Sequence, residues 1–386
     1  MIYSKKCKFK VEIEIDFIDK EDAIQQELPI KKEYLYHKNI EGNEYKDKVS
    51  ICKDKIEISG ERTRDIDQGT MFYTIKSRYY RECISVLLYS YIKIGAFTIK
   101  GIKSVVTKWN EKKIHSVPSF NQKFKTGFPF EVDELVLDSL FDYSDDSIYF
   151  PLMHLIEGMD YTTYKLEHSW KAFNYIYSTV YKVINSKNDK GKNGDSEKNA
   201  YIKMFDVMKS SIAEFDSIFQ EAKELVLKEI DTNDAIAFFR KKDPQQISNI
   251  ESFLTIFDIH NISDSSLLTL LEEMFDEIYG KYQGEYASNP SSNDSKMKPY
   301  RTVKKKFKEC QKKSGEDTAD YMMFLLNFVC YLRNKMMHGV IQSPGFLFVN
   351  DASKYLEVYG QFLAKLCCKL LNNDIYRLAE SYGNKN

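Results

Sequence analysis

The sequence predicts an α+β domain over residues 1–145, followed by a mainly α-helical bundle over 150–386. Two patterns carry that division. Phe9, Val11, Ile13 and Ile15 alternate with Lys10, Glu12, Glu14 and Asp16, the period-two signature of a half-buried strand. After YSDDSIYF (143–150), apolar residues recur every three or four positions instead, as on the buried face of a helix. Composition agrees with a folded chain of this size. Its 386 residues exceed one small core, and 43% hydrophobic against 29% charged residues is globular rather than disordered.

In the first region, 9–18 is the best strand, and SICKDKIEIS (50–59) gives a second that ends at Gly60. Residues 74–93 fit a helix with Ile75, Tyr79, Cys83, Val86 and Leu87 on one side, and 96–107 fit another strand. Nothing there names a chemistry, so its expected role is open, a sensor or regulatory domain among the options. In the second region, 160–184 forms an amphipathic helix through Leu166, Trp170, Phe173, Tyr177, Val180 and Ile184. A polar loop at 185–199 separates it from a helix over 200–230 that turns Phe205, Met208, Ile212, Phe215, Phe219, Ala222 and Val226 inward. Shorter helices are expected at 246–258 and 264–280, a polar loop at 282–296, and a last helix over 351–381 that packs Tyr355, Val358, Phe362, Leu366 and Leu370.

A net charge of −1 argues neither for nor against nucleic acid, so any basic surface must be local. One candidate exists. Between Lys296 and Lys313, nine Lys/Arg face a single acid, Glu309. Arg301, Lys304, Lys305 and Lys308 there form either a solvated helix face or a phosphate-binding patch. The N-terminus lacks a signal-peptide apolar stretch, and no run is long enough to span a bilayer. Seven cysteines without a C-x-x-C pair suit free thiols in a reducing cytoplasm. No membrane, metal or cofactor is therefore expected.

The segment with most chemical character is DTADYMMFLLNFVCYLRNKMMHG (317–339). From Tyr321 to Leu332 it is apolar on nearly every side except at Asn327, which places it deep in a bundle or interface. Asp317 or Thr318 can cap its start, Asp320 complements the helix dipole, and Gly339 is suited to end it. Arg333, Asn334 and His338 interrupt this segment at its end, and polar groups entering a buried environment need partners or a purpose. Arg carries a permanent charge in a fork that fits phosphate oxygens, and His moves protons near neutral pH. Asn can hold the imidazole or the substrate. The set suits metal-free RNA cleavage, in which a 2′-hydroxyl attacks the adjacent phosphate. The same residues would also serve structurally, His338 at the dipole's negative end and Arg333 in an ion pair. Asn334 and His338 share a helix face, whereas Arg333 and His338 lie roughly 140° apart on an ideal helix. They converge only if the helix end unwinds or a second subunit completes the groove.

LRNKMMHG (332–339) resembles the signature of the HEPN domain superfamily, Arg-x4–6-His with a polar residue after the Arg. HSWKAFNYIY (168–177) is similar to an early helix of many members, matching at Trp170, Phe173 and Asn174. The resemblance covers roughly 150–386, with helical material at about 200–280 inserted between the two matched segments. It implies an all-α bundle that dimerises, with the two Arg-x4-His motifs meeting across a cleft that cleaves RNA without metal. It also implies a role in bacterial antiviral defence, abortive infection or toxin-like systems, with a regulatory protein partner or trigger possible. By motif match Arg333, Asn334 and His338 take the catalytic positions. Asn174 is either a buried amide satisfied within its bundle or a supporting group that reaches Arg333 or His338. His154 and His168 have no partner evident from spacing and are assigned structural roles. The alternative to an endoribonuclease is a non-catalytic helical interaction or sensor module. Phosphate-loop, dinucleotide, zinc-protease and serine-elbow patterns are absent from the sequence.

Overall fold

The computed structural model describes residues 7–18, 28–38, 44–63, 65–74, 77–109, 111–142, 145–159, 165–185, 197–230, 262–286, 304–312, 315–337 and 351–385. An N-terminal antiparallel sheet precedes a helical region, as the sequence periods require. The chain forms two compact units, Met1–Lys187 with Leu356–Arg377, and Asn188–Tyr355 with Leu378–Asn386.

In the first unit, β1 (Cys7–Phe17), β2 (Ile30–Lys38), β3 (Glu44–Ile51), β4 (Lys55–Arg62), β5 (Phe97–Lys108) and β6 (Glu111–Ser116) form one sheet in the order β2-β3-β4-β1-β5-β6. The alternating β1 sits centrally, antiparallel to both β4 and β5. Its Phe9, Val11, Ile13, Ile15 and Phe17 are buried. The opposite face carries cross-strand charge pairs, Lys10 Nζ–Glu57 at 2.6 Å and Lys103 Nζ–Glu14 at 2.6 Å. That face explains the strict apolar–charged alternation of the sequence.

A short helix, α1 (Gln68–Met71), leads into α2 (Arg78–Lys93), where Cys83, Val86 and Leu87 are buried as expected. Ile75 lies outside the described residues. Tyr79 meets the inner-face Phe9 edge-on, with ring centroids 5.0 Å apart. After α3 (Glu134–Asp138) and a 3-10 turn (Ser139–Phe141), the paired helices α4 (Asp146–Met159) and α5 (Lys165–Asn185) complete this stretch of the unit. Leu166, Trp170, Phe173, Tyr177 and Val180 of α5 are all buried.

The second unit contains α6 (Glu197–Ser210), α7 (Ile212–Glu229), α8 (Ser265–Tyr286), α9 (304–311) and α10 (Thr318–Met337). Helices α11 (Asp351–Asn372) and α12 (Ile375–Lys385) close the chain. The backbone of α5 at Leu166 comes so near Gly360 of α11 that a Cβ there would lie 2.9 Å from Leu166 N.

Four expectations need correction. The strand expected over 50–59 is the meeting of two, because Cys52 N donates to Lys55 O at 2.8 Å in a tight turn between β3 and β4, and β4 runs past Gly60. The helix expected over 200–230 breaks at Ser211, which swings Ile212 out to 48% exposure. The loop expected from 282 starts later, since α8 continues to Tyr286. The last helix is two, parted at Asp374, whose φ of 48° is left-handed. The loop at 186–196 and the helix expected at 246–258 fall outside the described residues. Among the described residues, no helix is long and apolar enough to cross a membrane.

Candidate functional site

The helix that carries the Arg-x4-His segment, α10, is held at its N-terminus by three aspartates. Asp317 Oδ1 accepts from Ala319 N at 3.0 Å, capping the helix. Asp320, 4% exposed, accepts from the backbone and hydroxyl of Ser263 and from Asp264 N at 2.9 Å. Burial pushes the Asp320 carboxyl up, against the pull of those donors. Asp264, 2% exposed, caps α8 by accepting from Ser266 N and Leu267 N at 3.0 and 2.9 Å. Its carboxylate also accepts from Asp317 N and Tyr321 OH, both at 3.0 Å. One buried carboxylate therefore ties the start of α10 to the start of α8. Lys209 Nζ offsets the negative charge, 2.7 Å from Asp317.

Beyond this anchor the helix is apolar on all sides, as the sequence pattern requires. Tyr321, Met322, Phe324, Leu325, Leu326, Phe328 and Val329 are buried, packed against α7 and α6. Those partners come from the stretch that the resemblance treats as an insertion. Asn327, 3% exposed, accepts from Tyr201 OH at 2.7 Å, while its Nδ2 has no hydrogen-bond partner among the described residues. Leu332 is buried, and Arg333, the last residue of α10 whose side chain is described, follows it half-buried. Asn334 continues the helix, but its side chain and all of His338 lie outside the described residues.

The basic stretch becomes α9 in part. Phe307 is buried against Phe275 of α8, with ring centroids 6.0 Å apart, and this turns Lys305 and Lys308 to solvent. Lys304 points elsewhere, to Asp276 at 2.8 Å and to Glu272. Burial opposes its ammonium, yet the hydrogen bonds to Asp276 and Glu272 prevail and raise its pKa. Its charge is thus committed to two acids. Arg301 lies outside the described residues. Asn174, in the first unit, is half-buried on α5 and accepts from Ser178 Oγ at 3.3 Å. Trp170 is 1% exposed between Phe173 and Tyr177, a core residue.

Sequence spacing missed a second constellation, in the first unit. His154, Glu157 and His168 place one donor atom each within 4.8 Å of one another. His154 and Glu157 are i, i+3 on α4, a relation visible in HLIE (154–157), but only the α4–α5 pairing brings His168 to them. Glu157 also lines a cavity of about 360 Å³ between the sheet, α2, α4 and residues 117–124, walled largely by apolar side chains such as Leu87, Ile99, Phe124 and Ile156.

No protein-family model matches the chain, and neither the curated proteins nor the solved structures compared with it gave a match.

Proposed function

We propose that the chain is a metal-independent endoribonuclease of the HEPN type, working as a homodimer in a defence or toxin-like role. The observation that carries this reading is LRNKMMHG at the end of α10. There an apolar run, buried over 324–329 and at Leu332, gives way to a half-buried arginine. In the proposed reaction the substrate's 2′-oxygen forms a bond to the adjacent phosphorus as the bond from phosphorus to the 5′-oxygen breaks. The products are a 2′,3′-cyclic phosphate and a 5′-hydroxyl. His338 moves the proton, Arg333 balances charge on the phosphate, and Asn334 orients the imidazole or the RNA. The outward lysines of α9, Lys305 and Lys308, supply local positive charge for the backbone in a chain of net charge −1. On an ideal helix Arg333 and His338 would point roughly 140° apart, which favours a groove shared by two copies.

Purified full-length protein tests this on single-stranded RNA. Cleavage should survive EDTA, leave cyclic-phosphate ends, spare DNA, and vanish in Arg333→Ala and His338→Ala. A wild type without nuclease activity, whose same variants lose stability or partner binding, would instead mark a helical interaction module.

A further inference from the structure

We propose that His154, Glu157 and His168 bind one divalent cation of the zinc class. This site lies in the first unit and shares no residue with the nuclease reading. Two imidazoles and a carboxylate are a donor set for zinc, cobalt or nickel, whereas magnesium and calcium favour all-oxygen shells. His154 and Glu157 project from one face of α4, one turn apart.

The third donor arrives through a close helix approach. A Cβ on Gly158 would lie 2.9 Å from the Cβ of His168, so the glycine lets α5 bring that imidazole against α4.

Two of the three donor separations match a coordination shell, and all three donor atoms lie within 4.8 Å of one another. Glu157 Oε2 stands 3.4 Å from His154 Nδ1 and 3.5 Å from His168 Nδ1. A charge-assisted hydrogen bond between such groups would close to about 2.8 Å. Ligand atoms on one tetrahedral zinc, with arms of about 2.0–2.1 Å, sit about 3.3–3.4 Å apart. His168 Nδ1 is buried and faces Glu157 Oε2 without closing to a hydrogen bond. Side-chain exposures of 24%, 44% and 19% for His154, Glu157 and His168 leave the ion a route in. Three protein ligands leave the fourth place to water, the composition of an open rather than a closed zinc site. Because Glu157 also lines the 360 Å³ cavity, a ligand entering there would come up against the same carboxylate.

The test uses tag-free, chelator-stripped full-length protein titrated with Co²⁺, followed by its visible absorption bands, then Zn²⁺ in competition. The expected result is one ion per chain with a Kd on the order of 1 µM or tighter, displaced by Zn²⁺ and not by Mg²⁺. Glu157→Gln, a near-isosteric change at a half-exposed position, should weaken binding at least about tenfold, and His154→Ala and His168→Ala should do the same. Each variant is first matched to the wild type by circular dichroism in chelator. Glu157→Gln decides the matter if a histidine variant fails to fold. Absence of saturable binding at about 100 µM Co²⁺ or Zn²⁺, or variants that bind like the wild type, would overturn the proposal. Failure of the nuclease reading would leave this titration unchanged.

Discussion

Replacing Asp264 with alanine should loosen the helix that carries the candidate site, although Asp264 lies about 70 residues away in sequence. The wild-type carboxylate caps α8 through Ser266 N and Leu267 N and accepts from Asp317 N and Tyr321 OH. Loss of the cap costs about 1 kcal/mol. Leaving the buried Tyr321 hydroxyl without an acceptor costs about 1–3 kcal/mol more. The sum is about 3 kcal/mol, or roughly a 100-fold fall in exchange protection for amides that exchange by opening of this unit. Hydrogen exchange read by mass spectrometry over peptides from α8 and α10 measures it directly. Asp264→Asn keeps one acceptor oxygen and should lose less. Tyr321→Phe alone should cost about 1 kcal/mol, and combined with Asp264→Ala the losses should be less than additive, because both remove one bond. Unchanged protection in α10, or strict additivity of the pair, would refute the reasoning.

Two further outcomes concern the first unit. Arg62, 6% exposed, grips Asp47, 1% exposed, through two bonds of 2.7 and 2.6 Å, so Arg62→Met should destabilise by about 3–5 kcal/mol in urea denaturation by stranding a buried carboxylate. Burial, with Asp47 adding repulsion, raises the Glu82 carboxyl to about 8 even though Arg78 bonds it at 2.8 Å. A folded pKa above the unfolded 4.5 means that its stabilising contribution is complete below pH 4.5 and is lost as pH rises through about 8. Denaturation midpoints should therefore fall across that window, and Glu82→Gln should flatten the fall; an equally steep profile in the variant would contradict the assignment.

Legibility in the sequence followed burial geometry. The central β1 was readable because one face is core and the other is solvent, giving strict alternation. β2 and β3 were not, since strings such as EYKDKVSI mix charges into both registers, and the turn at Cys52–Asp54 lacks glycine or proline. The break at Ser211 was hidden because Met208, Ile212 and Phe215 keep helical spacing across it, although Ile212 turns outward. At the site, the end of the apolar run before Arg333 was plain from residue types alone. Invisible were the contacts that hold that helix, because Asp264 meets Asp317 and Tyr321 across 53 and 57 residues. His168 was missed for the same reason: its partners share a helix hairpin with it and no local pattern.

RNA cleavage by the purified full-length chain, wild type against His338→Ala, bears most directly on the proposed function. The expected result is EDTA-resistant cleavage with cyclic-phosphate ends in the wild type, and a loss of at least about 100-fold in the variant at an unchanged oligomeric state. Equal cleavage by both proteins, or none by either, would contradict it.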